Sequence, residues 1–322
     1  MKRANSLFDT IVSFDNLRLA YLKARRKKTS KKVVQNFARN VNANLETIRQ
    51  RLIAVPPDLS PYTQFKIFDP KERTITVAPF PDRIIHHAIM NILEPIFERQ
   101  MIYHTYACRK GKGTHAAARY AYRCAKRYSH FLKLDVRKYF DSVSHEVLKR
   151  QLSHIIKDER TLALLFTIID GYTSPLSTFS IKRGLPIGNL TSQFFANLYL
   201  SSLDHFVLEK LKPKAYIRYM DDFVMFDNSL LRLKNIFSCI KTYLHHVLNL
   251  SLKPETFGKT AHGLAFLGWL ISSDRVKVTT KTHRRMKRTL NAINTKWQCG
   301  LMSDDEAIMR TLCVTSVRKL HM

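Results

Sequence analysis

The chain reads as a mixed fold in which short strands alternate with long helices, an α/β or α+β layer architecture. Three observations lead there. Apolar residues recur with a period near 3.6 over long stretches and with a period of two over short ones. Two apolar strand-like segments flank a polar turn near residue 220. Of 322 residues, 45% are hydrophobic and 25% charged, enough apolar material for a substantial core.

Residues 1–57 are expected to be helical and basic. Phe14 to Lys28 places Leu17, Leu19 and Leu22 at helical spacing, and Lys23–Lys32 holds seven Lys or Arg in ten residues. A second helix is expected from Val33 to Ile53. Pro56 and Pro57 close the section, because proline cannot continue a helix. In residues 64–80, Phe65, Ile67, Ile75 and Val77 mark short strands. Pro81 suits the first turn of a long helix whose apolar face is Ile84, Ile85, Ala88, Ile92 and Leu93. Gly111 and Gly113 mark a loop, and Thr114 is the expected cap of a helix over His115–Lys126. Phe131–Val136 is an apolar strand. Helices follow over about Ser144–His154 and Glu159–Ile169, with Ser144 as N-cap and Glu146 in the favourable first turn. After Gly184–Gly188, one helix is expected from about Leu190 to Leu211. Strands Ala215–Tyr219 and Phe223–Phe226 flank the polar turn. A helix Leu230–Leu248, a strand near Leu264–Ile271 and a basic helical section from Thr280 complete the chain.

Charge bounds the partners. Lys and Arg number 54 against 25 Asp and Glu, a formal charge of +29. Self-repulsion on that scale calls for a polyanion, nucleic acid before any other. An anionic membrane would call for a basic amphipathic stretch with an aromatic-rich apolar face, which the sequence lacks. No apolar run reaches the roughly 18 residues of a membrane span. Cys108, Cys124, Cys239, Cys299 and Cys313 form no CxxC pair and lack zinc-ligand spacing. With no signal peptide in the sequence, they read as reduced cytosolic thiols.

Three acids carry the chemistry. In Phe131–Val136, Leu132, Leu134 and Val136 point one way, and Lys133 and Asp135 the other, away from the core. Asp221 and Asp222 are adjacent; on a regular strand they would face opposite sides, but at a hairpin turn that limit relaxes. Three carboxylates on neighbouring strands can hold two Mg²⁺ ions about 4 Å apart for in-line phosphoryl displacement. Taken alone, an Asp-Asp pair between strands is equally an ordinary polar turn.

The surrounding motifs extend this. Tyr219-Met220-Asp221-Asp222 resembles the YxDD box of reverse transcriptases. Lys71-Glu72-Arg73 with Pro81-Asp82-Arg83-Ile84-Ile85 resembles the first fingers motif, and His104 to Arg109 the second. Leu134-Asp135 through Tyr139-Phe140-Asp141 looks like the first palm motif, and Phe266-Leu267-Gly268 the FLG motif on the primer side. These boxes stand in family order over about 200 residues. Ile187-Gly188-Asn189-Leu190-Thr191-Ser192-Gln193 resembles the [IVL]GxxxSQ pattern of reverse transcriptases from diversity-generating retroelements, where group II intron-like enzymes have QGxxxSP.

The resemblance implies a right-hand polymerase of the α+β class. Its parts would be a basic extension over 1–57, fingers and palm over 58–271, and a short helical thumb over 272–322. It implies that Asp135, Asp221 and Asp222 are catalytic and, with Val136, hold two Mg²⁺. Lys71, Arg73, Phe140, Ile187, Gly188 and Gln193 would bind the dNTP. Lys71 and Arg73 would grip the triphosphate, and Phe140 would clash with a ribose 2′-OH. Arg83, Arg109, Tyr219, Met220, Phe266 and Gly268 would meet primer and template. Lys253 is a candidate proton donor to pyrophosphate. Read from their residue type alone, Phe140 and Phe266 are equally core aromatics, and the cations equally a solvated face. Ile187 stands where many relatives have glutamine, which removes an amide near the nucleotide pocket. Polar complementarity rejects wrong partners strongly, so the resemblance implies error-prone copying at template adenines. The basic tracts Lys23–Lys32 and His283–Arg288 would contact phosphate backbone. The implied partners are template RNA, cDNA or primer, dNTPs and a small basic helical accessory subunit, in a bacterial or phage-encoded cytoplasmic protein. A retron or group II-derived enzyme, an RNA-dependent RNA polymerase and a non-catalytic nucleic-acid binder are the rival readings.

Overall fold

The structure, a computed structural model, describes residues 3–68 and 72–316. The chain divides into two compact units. The first takes in the described residues up to Tyr103, with Val136–Phe206 and Lys241–Ser251. The second takes in His104–Asp135, Val207–Ile240 and the described residues from Leu252 onward.

In the first unit, helix Phe80–Glu98 is the centre against which helices Phe14–Arg25 and Val41–Ile53 pack. Its apolar face is buried through Ile84, Ile85, Ala88, Ile89 and Leu93. Pro81 lies in its first turn, where the missing N–H costs nothing. Asp82 is buried there and accepts from Arg51 Nη1 (2.9 Å), Ser60 N (2.6 Å) and Ser60 Oγ (3.2 Å). This ties the second N-terminal helix to the loop before the strands.

Helix ends differ from expectation for local reasons. The first basic helix stops at Arg25 rather than Lys28, since Lys27 turns left-handed at φ 61°. The helix expected over Val33–Ile53 is two, Lys32–Ala38 and Val41–Ile53. Asn44 Nδ2 donates to the Phe37 carbonyl (3.0 Å), closing the first piece, while the Phe37 ring stacks on Tyr21 at 5.4 Å. Ser144 caps helix His145–Ile155 as expected, accepting from Val147 N. Strands β1 (Thr63–Phe68) and β2 (Glu72–Val77) form an antiparallel hairpin. The long helix expected over Leu190–Leu211 breaks after Tyr199. It resumes as Ser201–Phe206 and ends in a π turn, Val207–Leu211. Ser201 Oγ donates to the Leu198 carbonyl (2.7 Å), a local bond that competes with the helix ladder.

The second unit is built on a four-stranded antiparallel sheet. Its strands are β3 (His130–Asp135), β4 (Ala215–Tyr219), β5 (Asp222–Asp227) and β6 (Thr256–Lys259), in the order β4-β5-β3-β6. One sheet face carries Phe131, Ile217, Val224 and Phe226. Helix Thr114–Arg127 packs there through Ala117, Ala118, Ala121, Cys124 and Ala125. These small residues let helix and sheet approach closely. The Lys133 and Asp135 face is therefore not turned away from a core. It belongs to a second core that covers most of its length. Gly113 (φ 112°), not Thr114, is the cap of that helix; Thr114 is its first residue.

Strand β6 was not evident from its pattern, being four residues with a glycine inside. Gly258 faces Phe131, and a Cβ there would come within 2.5 Å of that ring. The single strand expected near Leu264–Ile271 is a hairpin of β7 (Leu264–Phe266) and β8 (Trp269–Ile271), extended by β9 (Val276–Val278). Its turn uses Leu267 (φ 50°) and Gly268 (φ 92°). Helices Thr280–Gln298 and Asp304–Ser316 follow, and Thr279 caps the first.

Because Phe131 is buried and cannot retreat, Gly258→Ala is expected to destabilise the protein by about 1–3 kcal/mol through overpacking. A lowered thermal midpoint checks it, and Phe131→Leu in the same chain should recover part of the loss.

Candidate active site

The acids assemble at one end of the second unit's sheet. Strands β4 and β5 close on Tyr219↔Asp222, leaving Met220 and Asp221 as a two-residue turn. Met220 sits at φ 57°, where a side chain is strained. The buried guanidinium of Arg218 donates to the Met220 carbonyl (3.1 Å) and helps hold that geometry. In the β3–β5 ladder, Asp135 lies directly opposite Asp222. Residues paired in this way share a sheet face, with Cα atoms about 4.5–5.5 Å apart. Register brings two acids together and the turn adds the third, so the hairpin placement expected from the sequence is what the structure has.

Two lysines answer this charge. Lys253 Nζ lies 2.7 Å from Asp135 Oδ1, and the Lys253 amide donates to the Asp135 carbonyl (2.8 Å). Lys133 Nζ lies 3.3 Å from Asp222 Oδ2 and donates to the Ala265 carbonyl in β7 (2.9 Å). Asp222 Oδ1 is buried with no hydrogen-bond partner. Burial pushes the Asp222 carboxyl up to about 6, with Asp135 and Asp221 adding repulsion against the pull of Lys133. Burial, then the charge of Asp135, raises Asp221 as well. Among the described residues, no group of three or more His, Cys, Asp or Glu side chains is placed to hold a metal ion as it stands. An all-carboxylate set with a buried orphan oxygen and mutual repulsion nevertheless fits a hard divalent cation. Val136 has a fully buried side chain, so only its backbone carbonyl could serve as a ligand.

Other residues assigned to primer and template in this unit are placed as follows. Tyr219 is half-buried beside the turn, and burial raises its phenol. Arg109 Nη1 donates to the Thr105 carbonyl (2.8 Å). Phe266 is buried in the core under the sheet, with the Lys133 ammonium 6.0 Å from its ring centre. Gly268 accepts from Thr279 N (2.9 Å), and a Cβ on it would meet Thr282 Oγ1 at 3.0 Å.

The described residues assigned to the nucleotide fall in the first unit. Phe140 lies half-buried on the short helix Tyr139–Ser142, and its carbonyl accepts from Leu185 N (2.8 Å). The Ile187 carbonyl accepts from Thr76 N in β2 (2.9 Å), which lays this segment along the hairpin. Gly188 (φ 125°) could not carry a side chain easily. A Cβ would sit 3.0 Å from the Thr76 carbonyl and from Val77 Cγ1. Gln193 is exposed on helix Leu190–Tyr199. Arg73 lies in β2 opposite Ile67. Lys71 lies outside the described residues. Arg83 Nε donates to the Ala78 carbonyl (2.8 Å), a bond that anchors its helix start.

The profile of the family described as "Reverse transcriptase (RNA-dependent DNA polymerase)" matches residues 68–271, well over half the chain. The chain belongs to this family. Among curated relatives, it is 30% identical over 145 residues to the group II intron-encoded protein LtrA of Lactococcus lactis, covering 45% of this chain and 24% of that one. It is 31% identical over 144 residues to an uncharacterized 91 kDa protein in the cob intron of Schizosaccharomyces pombe, covering 44% and 18%. It is 24% identical over 222 residues to protein YkfC of Escherichia coli, covering 56% and 58%. The chain thus spans from under a fifth to somewhat over half the length of these relatives. Among solved structures, telomerase from Candida tropicalis in complex with a telomeric RNA fragment superposes with a TM-score of 0.55 at 11% identity, covering 81% of this chain and 53% of that one. A C-terminally truncated apo form gives 0.54 at 13%, covering 69% and 56%. The right-hand polymerase class expected from the sequence is the fold of this chain.

Lys133 and Arg218 were not singled out by sequence reasoning as parts of this site. The signal was present, since each is a cation inside an otherwise apolar strand, where an unpaired charge is costly. Which acid or carbonyl each would meet depended on register and on the β7–β8 hairpin.

The raised Asp222 carboxyl gives a pH signature. Its folded-state value lies above the unfolded one, so its stability contribution is present below about pH 4 and is lost as pH rises through about 6. Without divalent metal, Asp222→Asn should therefore stabilise the fold at pH 7.5 by on the order of 2 kcal/mol, read in chemical denaturation, and change little at pH 4. Lys133→Met removes the charge that holds Asp222. It should lower the turnover of primed extension at least tenfold with little change in KM for dNTP, and Lys133→Arg should recover part of it. Steady-state kinetics decide this, and equal changes in both parameters would contradict it.

Proposed function

We propose that the chain is an RNA-directed DNA polymerase that copies a template RNA into cDNA, with Asp135, Asp221 and Asp222 as its metal-holding acids. The observation that carries this is the pairing of Asp135 with Asp222 across β3 and β5, with Asp221 in the adjoining turn. A protein that only bound nucleic acid would gain nothing from three mutually repelling carboxylates in a chain of charge +29. When bound, two Mg²⁺ ions would supply Lewis acidity and neutralise the charge of in-line nucleotidyl transfer. Lys253, 2.7 Å from Asp135, can carry a proton toward the departing pyrophosphate. By family resemblance, Lys71 and Arg73 grip the triphosphate, Phe140 excludes the ribose 2′-OH, and Ile187, Gly188 and Gln193 complete the nucleotide pocket. Arg83, Arg109, Tyr219, Met220, Phe266 and Gly268 support primer and template in the same reading.

Within the family, the Ile187–Gln193 pattern favours a diversity-generating retroelement enzyme, error-prone at template adenines. It would work in a bacterial cytoplasm with a small basic helical accessory subunit. Among the described residues no helix is long and apolar enough to cross a membrane. The second reading, a group II intron-derived enzyme, is favoured by the similarity to the group II intron-encoded protein LtrA.

Primed extension on a defined RNA with Mg²⁺ and dNTPs tests both. Extension is expected in the wild type and should be lost at least a thousandfold in Asp221→Asn. Misincorporation should concentrate opposite template adenine and fall in Ile187→Gln. Faithful extension would select the intron-derived reading. Absence of extension on cognate RNA with an accessory subunit would leave a nucleic-acid binder.

A further inference from the structure

From Arg99 to Leu134 the sequence contains no Asp or Glu, while His104–Leu134 alone carries eight Lys or Arg. From His104 onward this stretch lies within the second unit, and four of its cations fall on one helix. Helix Thr114–Arg127 buries only small residues against the sheet. Arg119, Arg123, Lys126 and Arg127 are all exposed. Positions 119, 123 and 127 recur every fourth residue, so their side chains form a stripe with steps of about 6 Å along the helix axis.

Aromatic rings are interleaved with these cations. His104 stacks on Tyr120 at 3.8 Å and 9°. The segment holding His104 is pinned to β4, with Arg218 N donating to the His104 carbonyl (3.0 Å) and Tyr106 N to the Arg218 carbonyl (2.9 Å). Arg123 lies 5.5 Å from the Tyr120 ring centre, Lys126 5.0 Å from Tyr122, Arg127 5.7 Å from Tyr128 and Lys112 5.2 Å from Tyr106. The rings hold these cations against the protein surface. The Tyr122 hydroxyl donates to the Asp274 backbone carbonyl (3.2 Å), and the Asp274 carboxylate faces Arg275 (3.6 Å). Burial, with Lys112 and Arg123 close by, drops His104 to about 4, so the ring is neutral at physiological pH and available for stacking.

We infer that the outer face of helix Thr114–Arg127, with the His104–Tyr120 stack, is a second nucleic-acid site that holds a single strand by its phosphates. The site is separate from the carboxylate end of the sheet. The cations contact backbone, so the site is indifferent to sequence, and Tyr120 and Tyr122 are only half-buried among them. The inference does not rest on the polymerase reading, because its readout is binding and not extension.

The test is fluorescence anisotropy of the full chain with a labelled, unstructured uridine 30-mer, titrated across potassium chloride concentrations. The triple variant Arg119→Gln, Arg123→Gln, Arg127→Gln is compared with wild type. Glutamine keeps helix propensity, and an unchanged thermal midpoint verifies folding. Each single-strand phosphate contact contributes about 0.7 to the salt slope, so the slope should fall by about 2. Affinity should drop roughly 100-fold at 0.1 M salt, the loss vanishing towards 1 M. Arg→Lys at the same three positions should preserve the slope. Removing equal charge elsewhere, by Lys210→Gln, Lys234→Gln and Lys241→Gln, should change it far less. An unchanged slope in the stripe variant, or an equal fall in the control, would overturn the inference. So would intact RNA binding with lost binding to phosphatidylserine vesicles, which would assign the stripe to a membrane surface.

Discussion

Like charges held opposite one another on adjacent strands destabilise a sheet, and the second unit is arranged around one such pair. The antiparallel register sets Asp135 against Asp222, and the shortest hairpin connection available then places Asp221 beside them. Burial deepens the cost, as the raised Asp221 and Asp222 carboxyls record. The neighbourhood offsets it locally. Lys253 and Lys133 each take one acid, and Arg218 supports a turn whose Met220 occupies a strained backbone region. An arrangement that opposes folding and yet persists is the mark of a site selected for chemistry rather than stability.

The same sheet face does two jobs along its length. Its far end is a packed core in which Phe131, Val224 and Phe226 meet an alanine-lined helix, and Gly258 leaves room for the Phe131 ring. Its near end carries the acids. Lys133 stands between, with its stem over the core and its ammonium bridging Asp222 to the Ala265 carbonyl. The position of the β7–β8 hairpin is thereby coupled to the orientation of the Asp222 carboxylate. Phe266, expected to face primer, is itself buried in this core, so any part it plays toward nucleic acid runs through the hairpin it anchors.

The excess of positive charge is likewise structured. Around the acids, Lys133 and Lys253 are paired with carboxylates, and on helix Thr114–Arg127 the cations are exposed and interleaved with rings. Charge that repels in the free chain is useful when a polyanion supplies the counter-charge.

Most strands and helices were legible because their periodicity is strong and their ends carry recognisable chemistry: Ser144 as a cap, Pro81 in a first turn, the apolar strands on either side of Asp221 and Asp222. The failures were positions where a side chain competes with the backbone. Asn44 closes one helix early, Ser201 breaks another, Lys27 turns left-handed, and β6 is too short and too glycine-interrupted to show a period. By itself the sequence determined the family and the placement of Asp221 and Asp222 at a hairpin, since motif order and strand alternation are local properties. Only the tertiary structure decided that Asp135 faces Asp222, that Lys133 and Lys253 answer them, and that Phe266 is core. Those facts depend on register and on which distant segments pack together, and the free energy that settles both is spread over contacts no short stretch of sequence contains.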